Sequence, residues 1–230
     1  MPTDPAPDPS ISSAAVDVVL GPRFVRALEW AARLHAQQHK KGSDVPYVAH
    51  LLGTAALVLE GGGTEKEVIA ALLHDAVEDA NVPADKIRRR FGKKVARIVI
   101  ACTDVPVGRD RGRKKARTAE NWHTRKERSL DHLYAPDVPA AVLRVRAADA
   151  LCNARSIVAD LRRTGPEVWQ RFHAGAVDQL WYYRSLSIVL SDRLPGFLSD
   201  ELRVTVRDME QLAGWWFDVG DPQPGTRKSD

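Results

Sequence analysis

Residues 138–163 place the tightest limit on how this chain can fold. Wound as an α-helix, Ala140, Ala141, Val142, Leu143, Val145, Ala147, Ala148, Leu151, Cys152 and Ala154 leave the segment apolar nearly all the way round. That is the pattern of a central helix enclosed by its neighbours. Asp149 nevertheless sits in its middle, with Asn153 one turn on. A carboxylate removed from water needs a salt bridge, a segment to cap, or a metal ion, and the first two are the commoner fates.

The rest of the chain reads as helices to surround it. Expected spans are 22–39, 47–60, 65–80, 84–91, 93–103, 118–134, 138–163, 167–192 and 199–217. Pro22, Pro46, Pro83, Pro139 and Pro166 fall at or near their starts, where proline is tolerated. Alternating β-branched runs are scarce. The expectation is an all-α fold: one helical-bundle domain over residues 20–218. It is flanked by disordered tails at 1–15, with Pro2, Pro5, Pro7 and Pro9, and at 221–230. Cys102 and Cys152 stand far apart with no CxxC spacing, so neither a disulfide framework nor a zinc knuckle is indicated. No apolar run approaches the length of a membrane span and no signal peptide is visible, so a cytoplasmic protein without membrane contact is expected.

Chemistry concentrates in Ala70-Ala71-Leu72-Leu73-His74-Asp75-Ala76-Val77-Glu78-Asp79. An imidazole and three carboxylates interrupt a small, apolar run, and a divalent metal would satisfy several of them at once. His74 and Glu78 are four apart, as are Asp75 and Asp79, so on a helix they form two adjacent polar stripes. Thr64-Glu65-Lys66-Glu67 reads as a capping box opening that helix, and Asn81 and Pro83 mark its exit. The His-Asp pair alone is weak, because seven His and thirty acidic residues in 230 produce such a pair about once by chance. His50 falls in the second turn of a helix opened by Pro46-Tyr47, among Ala49, Leu51 and Leu52. A lone His on an apolar face is more often a satisfied core residue than a ligand. Together, His50, His74, Asp75 and Asp149 supply two imidazoles and two carboxylates from three helices. Such a set suits Mn²⁺, Fe²⁺, Co²⁺ or Zn²⁺ better than Mg²⁺ or Ca²⁺.

This H…HD…D order resembles the HD superfamily of metal-dependent phosphohydrolases. Five segments narrow the resemblance: His35-Ala36-Gln37-Gln38-His39-Lys40-Lys41-Gly42; Pro46-Tyr47-Val48-Ala49-His50; Ala71 to Asp79; Phe91-Gly92; and Ala148-Asp149-Ala150-Leu151-Cys152-Asn153. In this order they look like the hydrolase domain of RelA/SpoT proteins and the stand-alone small alarmone hydrolases, over roughly residues 24–190. The resemblance implies Mn²⁺ held by His50, His74, Asp75 and Asp149, with Glu78 and Asp79 as the acidic pair beside the attacking water. It implies hydrolysis of the 3′-pyrophosphate of guanosine tetra- or pentaphosphate to GDP or GTP. With no synthetase domain expected in 230 residues, degradation of the alarmone is the whole expected activity.

Substrate contacts follow from the same resemblance. Lys40 and Lys41 match the family's basic pair, although the first is usually Arg, and Lys lacks the bidentate fork. Asn153 matches a position near the substrate. Leu180-Trp181-Tyr182-Tyr183-Arg184 offers Tyr183 to a base and Arg184 to a phosphate, although aromatics at helical spacing more often pack in a core. Ala150 departs from the pattern, since Lys or Arg usually follows this Asp. Lys126, Arg125 and the run 109–117 are the candidates to replace it. Two other readings stay open: an HD phosphohydrolase of another nucleotide, such as an NADPH phosphatase, and a non-catalytic nucleotide-sensing module on the same fold.

The net charge of +4 and pI near 9.2 suit a small polyanionic ligand as well as a nucleic acid. Arg109 to Arg117 holds six basic residues against one acid. With no aromatic among them to stack a base, the run reads as a solvated loop, and nucleic acid is not an expected partner. Oligomeric state is not legible in the sequence.

Overall fold

The computed structural model describes residues 18–103, 119–172 and 174–214. The expected tails, the run 109–117 and the last residues, 215–217, of the expected 199–217 helix lie outside the described residues. Eight α-helices and one 3₁₀ segment, with no strand, make up the described chain: α1 (Pro22–Leu34), α2 (Val48–Glu60), α3 (Glu65–Leu73), α4 (Ala84–Cys102), α5 (Ala119–Tyr134), α6 (Ala140–Thr164), a 3₁₀ segment (Gly165–Arg171), α7 (Ala176–Arg193) and α8 (Phe197–Leu212). The fold is all-α.

Helix α6 is the hub. It packs against α2, α3, α4, α7 and α8, as its apolar circumference requires, while α1 lies on α3 and α5 on α7. Short α3 is almost wholly buried from Glu67 to Leu73, so it and α6 form the two-helix interior from which the site emerges. Each fully buried Leu or Ile there, including Ile69, Leu72, Leu73 and Leu151, contributes about 1.5–3 kcal/mol. The α6–α8 seam is laced at its wet edge by Arg155–Glu201 and Arg162–Asp208, each at 2.8 Å.

The capping box forms: Thr64 and Glu67 exchange side-chain and backbone bonds at the start of α3. The other Glu67 oxygen, Oε1, receives the Arg144 guanidinium at 2.7 Å, which ties α3 to α6. Phe91 and Gly92 split α4 where expected, because Gly92 has φ +88°, a value costly for residues with a Cβ. Asn81 takes φ +52° at the exit after α3.

Three helix ends differ from expectation. Helix α1 stops at Leu34 rather than 39, because the next residues pair back on themselves: Lys40 N–H donates to the Val45 carbonyl and Tyr47 N–H to the Gln38 carbonyl, both at 2.8 Å. Helix α3 stops at Leu73 rather than 80. His74 Nδ1 donates to the Ala71 carbonyl at 2.7 Å, and the backbone tightens to an i→i−3 bond from Ala76 to Leu73. The expected 167–192 helix is a 3₁₀ segment followed, after an extended Phe172, by α7, which begins only past Gly175.

Candidate functional site

Three segments aim polar groups at one point. Pro46-Tyr47 starts α2, which puts His50 in its first turn rather than its second. The unwound end of α3 presents His74 and Asp75. The middle of α6 presents Asp149. His50 Nε2 and His74 Nε2 lie 3.3 Å apart. Asp149 Oδ1 is 3.3 Å from the first and 3.5 Å from the second, and Asp75 Oδ2 is 2.9 Å from His74 Nε2 and 3.8 Å from His50 Nε2. Both imidazoles are 3% exposed.

Donor atoms of a four- to six-coordinate cation with bonds near 2.0–2.2 Å lie about 3.0–3.5 Å from one another. The donors of His50, His74 and Asp75, 2.9–3.8 Å apart, fit that shape, and Asp149 Oδ1 lies within 3.5 Å of both imidazoles. The surroundings fit as well. Because His74 Nδ1 is committed to Ala71, its Nε2 is the nitrogen left to face the cluster. Tyr47 Oη donates to Asp75 Oδ2 at 2.6 Å, and Asn153 Nδ2 donates to Asp149 Oδ1 at 2.7 Å. These residues can hold a divalent metal.

Electrostatics agree. Burial of His50 opposes its protonation, yet the hydrogen bond to Asp149 outweighs it and pushes the imidazole up to about 9. His74 is likewise raised, its burial overcome by Asp75 and Asp149. Asp149 is buried, which alone would raise it, but bonds to both imidazoles hold it well below the carboxylate range. Although burial opposes it, Asp75 is also held low, chiefly by the charge of His74, so two carboxylates stay ionised in a largely enclosed site, a demand that protons or a cation can meet.

Glu78 is half-buried one turn beyond His74, and Asp79 is open to solvent. Asp79 Oδ2 accepts Gln38 Nε2 at 2.8 Å, and Gln38 Oε1 in turn meets His35 Nδ1 at 2.6 Å. That chain ties the acidic end of the site to the segment after α1.

A cleft of about 200 Å³ opens beside Asp149. Trp122 and Lys126 of α5, Arg146, Ala150 and Asn153 of α6, Phe172, and Gln179, Tyr182 and Tyr183 of α7 line it. Of the expected substrate residues, Asn153, Lys126 and Tyr183 are in this wall. Lys126 Nζ lies 4.6 Å above the Tyr182 ring. Lys41 sits at the rim, 5.7 Å over Phe172. Lys40 donates to Ser156 on α6. Arg184 is elsewhere: it turns to α8 and pairs with Glu210 at 2.9 Å, so the structure does not bring it to the cleft.

Arg146 escaped the sequence reading. It is 8% exposed and gathers the Cys102 carbonyl (3.3 Å), Ser129 Oγ (3.0 Å) and Tyr182 Oη (3.2 Å), with Asp149 Oδ2 at 3.8 Å. The available signal was its spacing, three before Asp149 and four before Ala150, which puts all three on one side of α6. Tyr47 and Gln38 were also missed as partners of Asp75 and Asp79, because nothing in their local pattern marks the contacts.

Comparison with known proteins agrees with this architecture. The sequence matches the HD domain family over residues 27–179. A protein of Xenopus tropicalis named guanosine-3′,5′-bis(diphosphate) 3′-pyrophosphohydrolase MESH1 is 33% identical over 186 residues, 77% of this chain and 94% of that one. The human protein of the same name is 33% identical over 150 residues, 64% of this chain and 74% of that one. A solved structure described as a metazoan ortholog of SpoT that hydrolyzes ppGpp superposes with a TM-score of 0.63 at 22% identity, covering 86% of this chain and 98% of that one. The crystal structure of lmo0812 from Listeria monocytogenes gives 0.57 at 25% identity, covering 72% and 99%. With its buried His-Asp cluster and a match across two-thirds of its length, the chain belongs to the HD domain family.

Proposed function

We propose that the chain hydrolyses the 3′-pyrophosphate of guanosine tetra- and pentaphosphate, giving GDP or GTP and pyrophosphate, with Mn²⁺ at the His50, His74, Asp75 and Asp149 cluster. The observation that carries this reading is the cluster of His50, His74 and Asp75, with Asp149 Oδ1 within 3.5 Å of both imidazoles, next to a cleft that is both cationic and aromatic. The activity named for the Xenopus and human relatives supports the substrate.

A divalent cation bound there supplies Lewis acidity and makes water acidic enough to react near neutral pH. Glu78 and Asp79 take and orient the proton of the attacking water, with Gln38 holding Asp79 in place. Attack at the phosphorus next to the ribose 3′ oxygen breaks that P–O bond, and the 3′ oxygen leaves with a proton. Lys126 and Arg146 meet phosphate charge in the cleft. They supply cations on the side where Ala150 has none. Tyr183 and Trp122 give flat apolar walls for a base, and Asn153 fixes Asp149 while facing the same space.

Incubating the purified chain with Mn²⁺ and ppGpp tests the reading. Pyrophosphate release that is lost on chelation and lost in Asp79→Ala is expected. No release from protein with metal demonstrably bound overturns it. Ala150 keeps NADPH and other nucleotides in the comparison, and faster turnover of one of these would reassign the substrate while leaving the metal chemistry intact. Nucleotide binding that survives Asp79→Ala with no turnover in either protein would point to a sensing module.

A further inference from the structure

Helix α4 carries Lys86, Arg88, Arg89, Arg90, Lys93, Lys94 and Arg97 against one acid, Asp85. All seven cations are exposed, whereas Ile87, Phe91, Val95, Ala96, Ile98 and Val99 are buried against the body. Asp85 is taken by Arg88 at 3.1 Å. Among the described residues, no carboxylate pairs with Arg89, Lys93, Lys94 or Arg97. Arg90 lies 4.6 Å over the Trp30 ring and Lys86 5.8 Å, so that ring is covered by cations. The break at Gly92 divides the row into two helical stretches, Lys86 to Arg90 and Lys93 to Arg97, each about 6 Å long at 1.5 Å per residue, a length over which a duplex carries about three or four phosphates.

We infer that the outer face of α4 docks the phosphate backbone of a nucleic acid, without reading its sequence. Each alternative partner needs something this face lacks. A membrane-surface helix places apolar side chains beside its cations, and here every large apolar residue of α4 from Ile87 to Val99 points inward. A protein interface is centred on exposed aromatic or aliphatic side chains and depleted of charge at its core. Phosphate-backbone binding needs only a dense row of cations, and arginine suits phosphate because its fork donates two bonds at once. The surface is separate from the cleft, none of whose lining residues belongs to α4.

The test is fluorescence anisotropy of a labelled mixed-sequence DNA duplex titrated with the whole chain at a series of salt concentrations. Four phosphate contacts predict that affinity falls about 150-fold between about 50 and 200 mM salt, from a slope of about −0.9 per contact. The triple variant Arg89→Glu, Lys93→Glu, Arg97→Glu should lose at least about tenfold in affinity while keeping its Tm and nucleotide turnover. Loss of turnover and Tm together would show misfolding, and the single variants Lys93→Glu and Lys94→Glu then carry the test by the same readout. No binding by the wild type at low salt overturns the inference. So does binding that the triple variant retains, or binding confined to phosphatidylserine vesicles.

Discussion

Replacing Tyr47 by Phe removes one oxygen atom and leaves the ring in place. That oxygen donates to Asp75 Oδ2 at 2.6 Å, the same carboxylate oxygen that faces both imidazoles. Burial and the neighbouring Asp75 push the phenol well above its ordinary value, so it is a protonated donor throughout the working pH range. A hydrogen bond to a charged group is worth about 1.5–3 kcal/mol, and loss of a bond that orients a metal ligand costs about 10–100-fold in metal affinity. The two figures agree, since tenfold is about 1.4 kcal/mol. Asp75 is 20% exposed, so water can replace part of what is lost, and the lower end of the range, about tenfold weaker Mn²⁺ binding, is expected. Titration calorimetry with Mn²⁺, run beside a melting curve, measures it. An affinity within about twofold of wild type, or a tighter one, with Tm unchanged would refute the argument that Tyr47 orients Asp75 for a metal.

Other outcomes follow from the packing. Glu67→Ala removes half of the capping box and strands Arg144, which keeps the Gly61 carbonyl and some solvent. A loss of about 3 kcal/mol, or roughly 6–12 °C in Tm, should appear by calorimetry. Gly63→Ala would set a Cβ 2.4 Å from Val58 Cγ1 and 2.6 Å from the Val58 carbonyl oxygen, and should cost about 3 kcal/mol because backbone cannot yield. Gly62→Ala meets open space and only a φ of +71°, so about 1 kcal/mol is expected; equal losses would contradict the packing described. Burial pushes the Cys102 thiol up to about 12, so at pH 8 a thiol reagent should label the folded chain at Cys152 and reach Cys102 only on unfolding. Rapid labelling of both in the native state, read by peptide mass, would count against that burial.

Local rules reached far along this chain. Thr64 and Glu67, Asn81, Gly92 and the apolar circumference of α6 each carry their structural meaning in a few adjacent residues, and each was legible. The convergence of His50, His74, Asp75 and Asp149 was legible through their order and type. Most of what escaped depends on contacts between segments. Nothing near His74 announces that its ring will take the Ala71 carbonyl and end α3 early. The polar residues after Leu34 are acceptable helix formers, and only the pairing of Gln38 with Tyr47 pulls them off the axis. Arg184 looked like a phosphate ligand because it follows three aromatics, but it turns instead to Glu210 on α8. The basic row on α4 was passed over in favour of the denser run at 109–117, because its cations are interleaved with core residues and stand out only once those are buried.

The spread of the four donors along the chain has a further consequence. His50 and Asp149 are separated by nearly half of the sequence and meet only when α2, α3 and α6 have packed. On the proposed reading, a cation held by all four is therefore a clasp that exists in the native state alone. At a hundred times its dissociation constant, such a ligand adds about 2.7 kcal/mol to stability. Heat resistance would then report metal occupancy directly, and a chain starved of metal would be both idle and easier to unfold and degrade.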